Sequence, residues 1–163
     1  MRQYAHLASF GALISDVSEG RVWARGRGWP LVTYRPLPED VAKLTRAISL
    51  TAEIFFAAGA HTVFSGIHQR PVLHNAAEAR ALQELRLKPT DIEMMAFHPQ
   101  GTCRMGEDPR QAVVDSYGRH HGTRNLLVAD ASLFPSSCKV NPQITIMALA
   151  TRIAERMADE LKG

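Results

Sequence analysis

A chain of 163 residues that is 45% apolar and 21% charged is long enough for a core and too hydrophobic to stay disordered. Its formal charge of +3 comes without any dense run of Lys and Arg, which argues against a nucleic-acid partner. No run approaches the roughly 18 apolar residues of a membrane span, so no transmembrane segment is expected. No signal peptide is expected in the N-terminal stretch, because His6 and Ser9 interrupt its apolar residues.

The two cysteines, Cys103 and Cys138, are too few for a disulfide framework and suit free thiols in a reducing compartment, the cytoplasm. Residues 11–17, G-A-L-I-S-D-V, read as a strand, and Gly20 ends the turn that follows. R-V-W-A-R alternates apolar and polar and returns as a second strand. After the breaker cluster G-R-G-W-P comes a third, L-V-T-Y-R, giving an antiparallel meander with one buried face. G-R-G-W-P-L is not a dinucleotide-binding glycine loop: the third glycine is missing, and a strand follows where a helix is needed.

From Pro38 the period changes. Val41, Leu44, Ile48, Ala52 and Phe55 recur at steps of three and four, the signature of one helical face. Pro38, Glu39 and Asp40 suit its first turn and Gly59 its end. A short strand over residues 62–64 precedes a loop with His61, His68 and His74 around it. Asn75 and Glu78 form a capping box for a short helix, which Pro89-Thr90 breaks. I-E-M-M-A-F then runs extended into His98. The run N-L-L-V-A from Asn125 reads as a buried strand of the parallel kind, with Asp130 at the end where open α/β sheets bind ligands. Asn141 reads as the cap and Pro142 as the first residue of a C-terminal helix, with Met147, Ala150, Ala154, Met157 and Leu161 on one face.

Two places can carry chemistry. The loop H-P-Q-G-T-C-R-M-G holds one imidazole, His98, a side chain suited to exchanging a proton near neutral pH. Pro99, Gly101 and Gly106 fix an irregular backbone around it. The helix start at Asn141-Pro142 presents unpaired N–H groups that favour an anion. Taken singly, the first is an ordinary loop histidine and the second an ordinary cap. His61, His68, His74, His120 and His121 match no zinc template, so no metal is expected. Met94-Met95 and Phe55-Phe56 read as core, and Arg21, Arg25 and Arg27 as a solvated hairpin face.

Four segments occur in order: the 98–106 loop, V-V-D at 113–115, N-L-L-V-A-D-A-S-L-F-P at 125–135 and V-N-P-Q-I-T at 140–145. Together they resemble the carboxyl-terminal region of the glucose–methanol–choline (GMC) flavin oxidoreductases, closely over residues 96–163 and more loosely over 11–60. The resemblance implies an FAD-dependent alcohol oxidase or dehydrogenase in which hydride passes from an alcohol carbon to flavin N5. His98 would take the hydroxyl proton and Asn141, in a position other members fill with histidine, would orient the alcohol. Asp130 and Ala131 would lie against the ribityl–pyrophosphate region of FAD, and Pro142, Gln143 and Thr145 near its ring. The implied fold is α+β: an antiparallel substrate-domain sheet flanked by helices in residues 1–112, then a strand and helix of an incomplete FAD-binding domain in 113–163. The family's strand–glycine loop–helix unit is absent, so the chain resembles the last third of such an enzyme. Its implied partners are an alcohol and a missing N-terminal FAD-binding half, and alone it would bind FAD weakly and turn over nothing. The alternative is a non-catalytic fragment or accessory module of the same descent.

Overall fold

The computed structural model of the protein describes residues 4–162. They are α+β and pack as two compact units, one of residues up to 19 with 34–94 and the other of 20–33 with 95–162.

The first unit is built on helix α1, Pro38–Ala57. Pro38 opens it, where a missing N–H is harmless, and Glu39 and Asp40 sit in its first turn. Its end is a Schellman motif: Gly59, at φ 94°, donates to the Phe56 carbonyl and Ala60 to that of Phe55. Strands β3 (Val63–Phe64) and β4 (Val72–Leu73) pair antiparallel, Val63 opposite Leu73. Helix α2, Ala76–Ala81, starts as the sequence indicates, with Asn75 Oδ1 accepting from the Glu78 N–H at 2.9 Å. The Glu78 carboxylate in turn accepts from the His74 N–H, one residue earlier than the standard box. Val41, Ala52, Ile67, Leu73, Ala79 and Leu82 form the buried core, with Leu44, Ile48, Phe55 and Phe56 against it.

The expected strand over 11–17 does not form. Instead Asp40, 1% exposed, accepts hydrogen bonds from the N–H groups of Val17 (3.0 Å) and Ser18 (2.9 Å), from the Ser18 hydroxyl and from Lys43 Nζ. Burial alone would raise the Asp40 pKa, but the bonds from Lys43, Ser18 and the two backbone N–H groups outweigh it and bring it to about 2. These bonds take the N–H of Val17, at the end of that run, and of Ser18 just beyond it.

In the second unit, β1 (Gly20–Trp23) and β2 (Leu31–Tyr34, whose last residue begins the return to the first unit) form a two-stranded sheet. The breaker cluster is the turn between them, with Gly26 at φ 57° and the Gly28 N–H donating to the Arg25 carbonyl. The meander is therefore a two-stranded ribbon, and every residue of both strands is exposed, contrary to the expected buried face. The predicted single sheet is instead two separate pairs of strands. The core of this unit is Val114, Leu133 and Ile153, joined by Met105, Val113, Leu127 and Val128.

Residues 125–129, expected as a buried strand, make one antiparallel bridge, Arg119 to Leu127, and Leu126 is 45% exposed. Its bonds to residues 118–120, His120 N–H to the Leu126 carbonyl and Val128 N–H to that of Gly118, extend no further into a strand. Helix α3 runs over Gln143–Lys162. It is held by Ile153 in the core and by Tyr117, whose ring lies 4.4 Å from the Arg152 guanidinium carbon and 5.6 Å from those of Arg119 and Arg156. Arg119 and Arg156 both pair with Glu160. The packed face therefore centres on Ile153, with Ile146, Leu149 and Ala150 half-buried, while the expected face leaves Met147 61% and Leu161 79% exposed. Met94 and Met95, expected in the core, are exposed too. No described helix is long and apolar enough to cross a membrane.

Candidate functional site

The loop after His98 lies along the turn that follows Asp130, and the backbone holds the two together. N–H groups of Gly101, Cys103 and Met105 donate to the carbonyls of Ala131 (3.2 Å), Ser132 (2.9 Å) and Leu133 (2.8 Å) in register. Glycine suits position 101 on two counts: its φ is 85°, and a Cβ there would stand a tight 3.2 Å from the Phe134 carbonyl oxygen. Downstream, Gly106 and Val113 bond to Val114 and Arg104, which closes the loop on the buried Val114.

Asp130 is the cap of the short 3₁₀ turn Ala131–Leu133, accepting from the Ser132 N–H at 2.8 Å and its hydroxyl at 2.5 Å. Its side chain is thus spent partly on the turn, although the residue is exposed. Leu133 and Phe134 are buried directly behind it. The loop carrying His98 and the pair Asp130-Ala131 are therefore brought together by the fold. His98 itself is half-buried.

The remaining expected residues sit at the start of α3. The Pro142 carbonyl accepts from the Ile146 N–H at 2.8 Å and Gln143 is the first helical residue. Pro142 therefore takes the cap position expected for Asn141, one residue later. Pro142 is buried, whereas Asn141, Gln143 and Thr145 are exposed. This first turn holds no acidic residue, unlike that of α1, so its partial positive charge has no local carboxylate against it. Lys139, at φ 62°, turns the chain just before it.

Sequence reasoning passed over Gln100. Its Oε1 is buried without a hydrogen-bond partner among the described residues, while its Nε2 donates to the His98 carbonyl at 3.4 Å. Nothing in the sequence marks this, because burial of one amide oxygen depends on how the loop folds back. Gly101 and Thr102 border an open groove of about 540 Å³ shared with Arg21, Trp23 and Arg110. Cys103 and Cys138 are both free thiols. Among the described residues no three His, Cys, Asp or Glu side chains gather as a metal site.

The chain is thus α+β, with a histidine loop bonded to an Asp-capped turn and a following helix whose first turn holds no acid. Residues 17–150 match the carboxyl-terminal domain of the GMC oxidoreductases, and the chain belongs to that family. It is 37% identical over 157 residues to an uncharacterized GMC-type oxidoreductase of Mycobacterium tuberculosis, covering 96% of this chain and 25% of that one. With an oxygen-dependent choline dehydrogenase of Pectobacterium carotovorum it shares 35% identity over 158 residues, covering 94% and 26%. A long-chain-alcohol oxidase of Arabidopsis thaliana is 27% identical over 175 residues, covering 99% and 23%. The chain thus spans about a quarter of the length of these relatives, less than the expected third.

Proposed function

We propose that this chain is the C-terminal portion of an FAD-dependent alcohol oxidoreductase, oxidase or dehydrogenase, in which His98 takes the alcohol proton and Asn141 holds the alcohol oxygen. The observation that carries the proposal is the backbone ladder tying the His98 loop to the Asp130-Ala131 turn. It joins two of the segments on which the family likeness rests. Two relatives are named for alcohol chemistry, on choline and on long-chain alcohols, which supports an alcohol as the substrate class.

The residues of this chain fit part of an FAD site. The first turn of α3 offers backbone N–H groups without a competing acid. The residues that would hold the cofactor are Asp130, Ala131, Pro142, Gln143 and Thr145. No strand–glycine loop–helix unit for the ADP end occurs among the described residues. When bound, FAD supplies the hydride acceptor. His98 receives the hydroxyl proton, a role that typically contributes ~10²–10⁴-fold in rate. Asn141 donates from its amide to the alcohol oxygen and fixes its direction. The chain's remaining share is electrostatic: the α3 N-terminus favours negative charge beside it.

Within the larger enzyme we assign residues 1–112 to a partial substrate-binding domain and 113–163 to the C-terminal part of the FAD-binding domain. The partner is then the N-terminal FAD-binding half. Purifying the full-length polypeptide tests this. It should show a flavin absorption band that primary alcohols bleach without oxygen, and the 163-residue chain should not hold stoichiometric FAD. A colourless full-length protein, or a yellow isolated chain, would refute the proposal.

A further inference from the structure

The groove beside the His98 loop has no role in the mechanism so far. One wall is strand β1, where Arg21 and Trp23, two residues apart, project from the same face. The other wall is the loop that follows His98, with Thr102 and Arg110. Its volume of about 540 Å³ is that of a small-molecule site, and no carboxylate lines it among the described residues. The cations around it are not equally engaged. Asp108 holds the Arg110 guanidinium through two bonds, at 3.1 and 3.0 Å, and Arg104 has a partner of its own. Arg21 pairs with no carboxylate among the described residues. Its planar fork of N–H donors is the complement of a carboxylate. One such charge balances one carboxylate, and Trp23, 50% exposed, offers an apolar face for the carbons attached to it. His98 and Gly101 are three residues apart, so their backbones lie within roughly 11 Å of each other and one molecule can reach both.

We propose that this groove takes the far end of the substrate, and that the substrate is an alcohol carrying a carboxylate, a hydroxy acid. Its hydroxyl lies at His98, its carbon chain against Trp23 and its carboxylate on Arg21. A quaternary ammonium in the same place meets an unpaired like charge and is disfavoured. The proposal rests on the alcohol-oxidising reading above and names the substrate class of that same site.

The test compares ω-hydroxyhexanoate, hexanol and choline as substrates of the full-length, FAD-loaded enzyme. The hydroxy acid should show a kcat/KM roughly tenfold or more above both, the scale of one hydrogen bond between charged groups. Most of the difference should lie in KM, because the carboxylate is bound alike in the ground and transition states. Added salt should shrink it. Arg21→Gln should abolish the preference, and Arg27→Gln, in the turn of the same ribbon and outside the groove, should keep it. Equal kcat/KM for hexanol and the hydroxy acid, faster turnover of choline, or a preference that survives Arg21→Gln would each overturn the proposal. Hexanoate, which has no hydroxyl to oxidise, separates this proposal from the reading it rests on. Calorimetry should show it binding the parent about tenfold more tightly than the Arg21→Gln variant. An enzyme that binds hexanoate in this way but oxidises no alcohol would keep the acid-binding groove and refute the oxidoreductase reading. Equal hexanoate binding by the two proteins would remove the groove, even if alcohols are oxidised.

Discussion

Gly118 is a residue that no other can replace. Its φ is 73°, and a Cβ there would stand 2.3 Å from the Val128 carbonyl oxygen and 2.9 Å from Ile153 Cδ1. Gly118→Ala should destabilise the chain by about 2 kcal/mol or more, combining backbone strain with overpacking. A urea midpoint lowered with little change in slope would show it; an unchanged midpoint would contradict the contact. Asp40 gives a pH-dependent case. Its folded pKa, about 2, lies below the ordinary carboxylate value, so its contribution is present above about pH 4 and disappears as pH falls through about 2. Asp40→Ala should lower the thermal midpoint at neutral pH, and the gap to the parent should close on acidification. A gap that stays constant between pH 5 and 2 would mean that the carboxylate does not hold residues 17 and 18.

At the scale of elements, the sequence was readable where the signals are local. Pro38, Glu39, Gly59, Asn75 and Glu78 act through neighbours within a few residues; α1 starts and stops, and α2 starts, where they indicate, though α2 ends at Ala81, well before Pro89. It misled where an element needs a distant partner. The run Leu126 to Ala129 has strand composition but pairs only through a single bridge, and Val17, at the end of the 11–17 run, gives its N–H to Asp40. Helix α3 has apolar residues on more than one face, and the periodicity alone selected the face that is exposed here. The two faces should respond differently to truncation. Ile153→Ala, which opens the core, should cost about 2–5 kcal/mol. Met147→Ala should stay within about 0.5 kcal/mol in this chain. Equal losses by chemical denaturation would mean that α3 packs on the other face.

At the scale of the whole molecule, the chain leaves much apolar surface in water. Ile144 and Leu161 on α3, Trp29 between the strands and Phe97 beside His98 are each 75–92% exposed. Where such residues adjoin, they mark an interaction face. The chain spans about a quarter of its relatives' length, and we take the missing N-terminal half as what covers it. The isolated chain should therefore associate with rising concentration in sedimentation experiments, and co-expression with that half should suppress the association. The candidate site was legible as a set of residues because its motifs lie in four short segments. The ladder that joins two of those segments, and the unpaired oxygen of Gln100, were not, because both arise only when the loop folds back on the turn. The most direct test is the steady-state rate of the full-length enzyme with His98→Ala, assayed on an alcohol the parent oxidises and at equal flavin content. Loss of a positioned base predicts a fall in kcat/KM of ~10²–10⁴-fold; turnover within about tenfold of the parent would contradict the assignment of His98 as the base.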